Sequence, residues 1–198
     1  MDKLIKSYVL GFDEINAMIS TSYYSSISDD MKKRTEQVCD DLLSLLIETY
    51  QKGIGAVVEM LQYGLLEPNA DEMFNAIYRK FNGKDFEDRT ILYLIAEDLD
   101  GLQKLAENEY HRVFNTALHD GAMQYSDKTK TQLNKTWRTM LDERVRDTHS
   151  YLEGVSVKMS DKFYTYDGDS ANYPGDFENA ENNVNCRCFL LFSKSKAN

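Results

Sequence analysis

Asp142-Glu143-Arg144-Val145-Arg146-Asp147-Thr148-His149 and Asn185-Cys186-Arg187-Cys188 are the two runs on which the reading of this chain turns. The first follows the only tryptophan, Trp137, and leads into Leu152-Glu153-Gly154; the second stands directly before Phe189-Leu190-Leu191-Phe192. Around them the hydrophobic period is that of strands. Lys135-Thr136-Trp137-Arg138-Thr139-Met140 alternates, and so does Val155-Ser156-Val157-Lys158-Met159, as half-buried strands do. Residues 147–153 read as a short helix with Gly154 placed at its end. Residues 162–174, rich in Tyr, Asp and Gly, read as an irregular loop or hairpin, and residues 186–192 as the last strand.

Upstream the period is helical. Leu4, Ile5, Tyr8, Val9, Phe12, Ile15 and Ile19 predict an amphipathic helix over residues 3–19, followed by a Ser-rich loop over residues 20–28. Ser28-Asp29-Asp30 offers capping oxygens to a long helix striped by Val38, Leu42, Leu45, Leu46, Thr49, Ala56, Val57, Met60 and Leu61. Gly53 and Gly55 within it predict a kink or a close approach to another helix, and Gly64 with Pro68 its end. Asn69-Ala70-Asp71-Glu72 caps a shorter helix that stops at Asn82-Gly83. A further helix from about Asp85 carries Leu92, Ile95 and Leu99, breaks at Asp100-Gly101, and continues to Gly121. A polar tract over residues 126–132 separates the two regimes. The expected fold class is α+β: a long-helix module over residues 1–125, then a small α+β module with a short antiparallel sheet over residues 126–198.

Bulk properties narrow the function. A formal net charge of −10 argues against coating nucleic acid through a general positive field, and suits an assembly component that docks on a positive partner. Three cysteines, Cys39, Cys186 and Cys188, have no scaffold spacing and fit a reducing compartment. The start, Met1-Asp2-Lys3-Leu4-Ile5-Lys6, is too polar for a signal peptide, and no apolar run is long enough to span a membrane.

Asp142, Arg144, Arg146, His149, Asn185 and Arg187 put many hydrogen-bonding groups beside strands that must be partly buried. If the two runs meet, acid, guanidinium and imidazole can satisfy one another and specify the fold, and this structural reading takes precedence. The sharper alternative is a metal site in which Cys186, Cys188, His149 and Asp142 supply the ligands; zinc suits that mixture. A third reading is catalysis, with His149 oriented by Asp142 or serving as base to Cys186. Neither a nucleophile elbow nor a Walker loop nor H-E-x-x-H occurs. His111 and His119 read as surface or boundary residues. Asp167-Gly168-Asp169 matches the start of a calcium loop but lacks its closing acid, and reads as a solvated turn.

Taken in order, Trp137, Asp142, Arg144, Arg146, His149, Gly154, Pro174-Gly175, Asn185, Cys186 and Cys188 resemble the Mu F-like phage head morphogenesis domain over the last third of the chain. The resemblance implies a non-enzymatic virion protein, a minor head component that docks on portal, capsid or scaffold protein, can contact DNA in the head and can leave with it. It implies no membrane, a capacity to oligomerise, and residence in the host cytoplasm during assembly and then in the virion head or portal vertex. The larger members extend further beyond the Cys-x-Cys strand than this chain does, so no fused toxin or transferase domain is expected. The alternative function is a metal-dependent nuclease or hydrolase acting during DNA packaging.

Overall fold

The computed structural model describes residues 12–25 and 31–195. Among the described residues five helices come first: α1 (Phe12–Ser25), α2 (Met31–Leu61), α3 (Ala70–Ile77), α4 (Phe86–Ile95) and α5 (Leu99–Thr129). Then follow β1 (Leu133–Arg138), the one-turn α6 (Asp147–Ser150), β2 (Ser156–Lys158), β3 (Phe163–Tyr164), β4 (Ser170–Ala171), the one-turn α7 (Ala180–Asn183) and β5 (Phe189–Lys194). The α+β class holds.

Helices α2 and α5, each 31 residues long and so about 46 Å, pack along one another and carry the rest. Gly53 sits where they touch. A Cβ there would stand 2.5 Å from Ala117 Cβ and 2.9 Å from Phe114 O, whereas one at Gly55 would meet nothing within 4 Å. The helix runs unbroken through both, so Gly53 marks a close approach and neither marks a kink.

Local chemistry sets the other boundaries. Asn69 Oδ1 accepts from the N–H groups of Asp71 and Glu72 and starts α3 as expected. That helix ends earlier than expected, at Ile77, because Asn82 and Gly83, both at positive φ, form a tight turn in which Phe81 and Lys84 exchange backbone hydrogen bonds. The break before α5 falls at Glu97 (φ 52°) rather than at Asp100-Gly101. Asp98 caps the new helix by accepting from Gly101 N–H at 2.8 Å, which places Gly101 in its first turn. In α4 the buried face is Phe86, Thr90 and Leu94, while Leu92 and Ile95 point outward. Helix α5 passes the expected stop at Gly121 and ends at Lys130, whose φ of 55° is left-handed.

At the other end, residues 20–25 are helical and not a loop. Ser20 and Thr21 return their hydroxyls to Asn16 O and Ala17 O, and Tyr23 is buried under the Arg34 guanidinium at 4.3 Å. The expected helical residues 3–11, residues 26–28 of the expected loop, and the Ser28-Asp29-Asp30 cap lie outside the described residues. Among the described residues no helix is long and apolar enough to cross a membrane.

The sheet has the antiparallel order β2-β1-β5, with Trp137 opposite Leu190 and Lys135 opposite Phe192. Leu133, Lys135 and Trp137 point inward, and Phe192 N–H reaches Met60 Sδ of α2 at 3.2 Å. One continuous set of buried side chains runs from Ile15 to Phe192. β3 and β4 form a two-stranded hairpin. Its turn is solvated as expected at Tyr166, Asp167 and Gly168, but Asp169 is buried and accepts from Ser170, Glu178 and Asn179 N–H and from Asn182 Nδ2.

Lys135 is fully buried and its Nζ lies 5.5 Å above the Phe163 ring. Burial pushes its pKa down from 10.5 to about 8, against the pull of Asp176 and Asp161. Between those two values the unfolded chain binds more protons than the folded one, so this group makes stability rise with pH across that window, a gain lost as pH falls through it. The stability difference between Lys135→Met and wild type, followed by urea unfolding from pH 7 to 10.5, is expected to shrink with rising pH; a pH-independent difference contradicts the buried ammonium. Gly53→Ala is expected to cost about 1–3 kcal/mol by overpacking and Gly55→Ala to gain about 0.5–1 kcal/mol. Equal effects in urea melts contradict the close approach.

Candidate functional site

The two sequence runs meet. The backbone turns out of β1 through Leu141 (φ 57°) into a loop in which Arg144 N–H returns to Asp142 Oδ1 at 3.1 Å. The chain then enters α6, which sets His149 into the core at 2% exposure. Its ring stacks on Phe177 at 5.3 Å and meets the edge of Trp137 at 5.5 Å. From the opposite side comes the segment before β5. Cys186 and Cys188 precede that strand, which begins at Phe189 and not at 186, yet both thiols are buried and face the imidazole. His149 Nδ1 lies 3.5 Å from each sulfur.

That segment is held from α5. Asn108 Oδ1 accepts from Asn185 N–H at 2.7 Å, where Asn185 takes a left-handed φ of 57°. One helical turn on, His111 Nε2 lies 2.6 Å from Cys188 O, and Asn115 Nδ2 donates to the same carbonyl at 3.3 Å. His111 is thus buried at 3% exposure and is no surface residue. Spaced three and four apart, these side chains lie on one helix face, and sequence reading passed over them because a polar stripe on a helix normally faces water.

Of the acid and the arginines, Arg187 takes Asp142 in a two-pronged pair, Nη1 to Oδ2 at 2.8 Å and Nη2 to Oδ1 at 2.6 Å. These hydrogen bonds from Arg187 hold the Asp142 carboxyl below its usual range. Asp142 is therefore apart from the thiol–imidazole cluster: the structure brings His149, Cys186 and Cys188 together and leaves the acid at the rim. Arg146 Nη2 donates to Val184 O at 2.5 Å, and Arg144 stays largely in solvent. Burial by itself would raise the Cys186 thiol, but the hydrogen bond with Cys188 and the neighbouring His111 and His149 bring it well below the usual thiol range. Cys188 is pushed well up, by burial first and then by Cys186.

Chemically this is a buried N,S,S cluster at the edge of a cleft of about 450 Å³, whose walls include Glu107, Asn108, Arg144, Arg146 and Arg187. A second network that the sequence did not flag lies on the same helix. Buried Glu109 is paired with Arg112 at 2.6 Å and Arg89 at 3.0 Å, and Arg112 donates to the α3 carbonyls of Ala76 and Ile77. Burial opposes the Glu109 charge, yet the two guanidiniums bring its pKa below 4.5.

Residues 70–191 match the family described as Phage Mu protein F like protein. The chain is 33% identical over 87 residues to minor head protein GP7 of Bacillus phage SPP1, covering 44% of this chain and 28% of that protein. It is 31% identical over 123 residues to NAD(+)--arginine ADP-ribosyltransferase EFV of Enterococcus faecalis, covering 59% of this chain and 24% of that one. The chain thus spans about a quarter of the length of these curated relatives. No solved structure matches it. The family match begins with α3, so the likeness carried by Trp137 to Cys188 extends upstream across α4 and α5.

Removing a partner of the Cys188 carbonyl leaves a buried acceptor short of donors. His111→Leu is expected to cost about 1–3 kcal/mol, and Arg144→Ala, at the solvent edge, no more than about 0.5 kcal/mol. Urea melts followed by fluorescence of the buried Trp137 check this. Equal losses at the two positions would contradict the anchoring role of α5.

Proposed function

Since the chain belongs to the family of phage Mu protein F like proteins, we propose that it is a structural, non-catalytic minor component of a phage head that acts in head morphogenesis. The observation that carries this reading is the family match, which runs from α3 to β5 and takes in every residue of the thiol–imidazole cluster. The likeness to a protein named as a minor head protein supports it. The transferase name belongs to a relative of which this chain spans about a quarter, and it brings no activity with it.

Of the expected polar set, Asp142, Arg146, His149, Asn185 and Arg187 act in this reading as a structural set that fixes the loop, with Arg144 at the solvent edge. Arg187 is engaged by Asp142 and Arg146 by a backbone carbonyl, and their geometry fixes one loop conformation. The helices supply the docking surface. Phe74 on α3 and Leu92 and Ile95 on α4 leave 51–62% of their surface exposed, apolar area of the sort that interface centres use. The partner is portal, capsid or scaffold protein. The protein assembles in the host cytoplasm, enters the virion at the head or portal vertex, and is packaged or ejected with the DNA.

Co-expression with the portal, scaffold and capsid proteins of the same phage tests the proposal by gradient sedimentation. Co-sedimentation with procapsids is expected, and its reduction in a Phe74→Ser, Ile95→Ser double variant that remains folded. A folded wild-type protein that stays at the top of the gradient with all three partners present contradicts it. Cleavage of DNA in the presence of divalent metal, lost in folded His149→Ala, would replace it with the nuclease reading.

A further inference from the structure

The nitrogen and two sulfurs at the meeting of the two runs have a spacing that chemistry recognises. The candidate ligand atoms of His149, Cys186 and Cys188 lie within 4.8 Å of one another, and Nδ1 is 3.5 Å from each sulfur. Around a tetrahedral zinc ion, with Zn–S near 2.3 Å and Zn–N near 2.0–2.1 Å, ligand atoms stand roughly 3.5–3.8 Å apart. No large rearrangement separates this cluster from a loaded one. A cavity of about 10 Å³ is lined by all three side chains together with Arg144, Arg146 and Arg187, about the room one small solvent molecule takes.

The backbone is already fixed from outside the cluster. Asn185 is held by Asn108 and the Cys188 carbonyl by His111 and Asn115, while Phe177 and Trp137 hold the imidazole plane. His149 Nε2 is buried with no hydrogen-bond partner among the described residues, so the ring's coordinating capacity is directed through Nδ1 at the sulfurs.

We propose that His149 Nδ1, Cys186 Sγ and Cys188 Sγ are the three protein ligands of a zinc ion whose fourth position opens on the arginine-lined cleft and is filled by a solvent oxygen. Two thiolates and an imidazole form a borderline-soft set that suits zinc and not magnesium or calcium. Two thiolates also neutralise the dication, which permits its burial. Asp142 is not a ligand, since both its oxygens are held by Arg187. The ion ties α6 to the segment before β5 across sequence separations of 37 and 39 residues, adding a coordinate link to the Asp142–Arg187 pair that closes the same loop at its rim.

The test uses the full chain purified without chelators. Elemental analysis after gel filtration is expected to find one zinc per chain. Replacement by cobalt is expected to give the thiolate-to-cobalt charge-transfer band and the intense visible bands of a four-coordinate site. Cys186→Ser and Cys188→Ser should each weaken that band and leave zinc substoichiometric, while Cys39→Ser and Asp142→Ala keep the full complement. Substoichiometric zinc in the wild type together with no charge-transfer band on cobalt addition overturns the proposal, a result that requires no variant to fold. Loss of zinc from a folded Asp142→Ala protein overturns the three-ligand assignment.

Discussion

A helix that is buried on every face must find a partner for each polar group it carries, and this molecule is arranged around that demand. From Glu109 to Leu118 every residue of α5 is buried, including Glu109, His111, Arg112, Asn115 and Thr116. Unpaired, each such group would cost about 1–3 kcal/mol and a charge more. The partners come from both directions. Arg89 and the last carbonyls of α3 meet Glu109 and Arg112; the carbonyl of Cys188 meets His111 and Asn115. The same helix thereby locks α3 and α4 on one side and the Cys-x-Cys segment on the other.

Consequences follow for the cluster. With the peptide at Cys188 pinned from α5, the two thiols are turned into the core towards α6, where Trp137, Phe177 and His149 wait. The Asp142–Arg187 pair closes the outer edge. Truncating Glu109 would strand the buried Arg112 charge, at about 3–5 kcal/mol by the usual magnitude. The rim pair, in contrast, shares its charge with water. The interior contacts thus set the fold, and the rim pair sets the shape of the loop.

Much of this was legible in the chain because its signals are local. The alternation about Trp137 and the Asn69 cap each act within a few residues and came out where expected, whereas the helix expected to reach Gly154 stops at Ser150 and Gly154 (φ 74°) ends the turn that follows. The meeting of His149 with both cysteines was legible from the ordered residues of the two runs. Signals that depend on distant partners were not. Leu92, Ile95 and Leu99 fit a helical period as well as Phe86, Thr90 and Leu94 do, and Thr90 hides its polarity by bonding to Phe86 O at 2.8 Å. His111 and Asn115 look like a wet face until the Cys188 carbonyl is placed against them. Asp142 has the chemistry of a ligand, and only its geometry assigns it to Arg187.

Helix α5 unites the helices and the sheet in one cooperative structure through its buried polar face. Native-state hydrogen exchange measures this most directly. The slowest amides of β1 and β5, such as Trp137 and Phe192, are expected to exchange with the same free energy as those of Val113 to Leu118, by global unfolding. Sheet amides that exchange far faster, through an opening that leaves α5 protected, would contradict it.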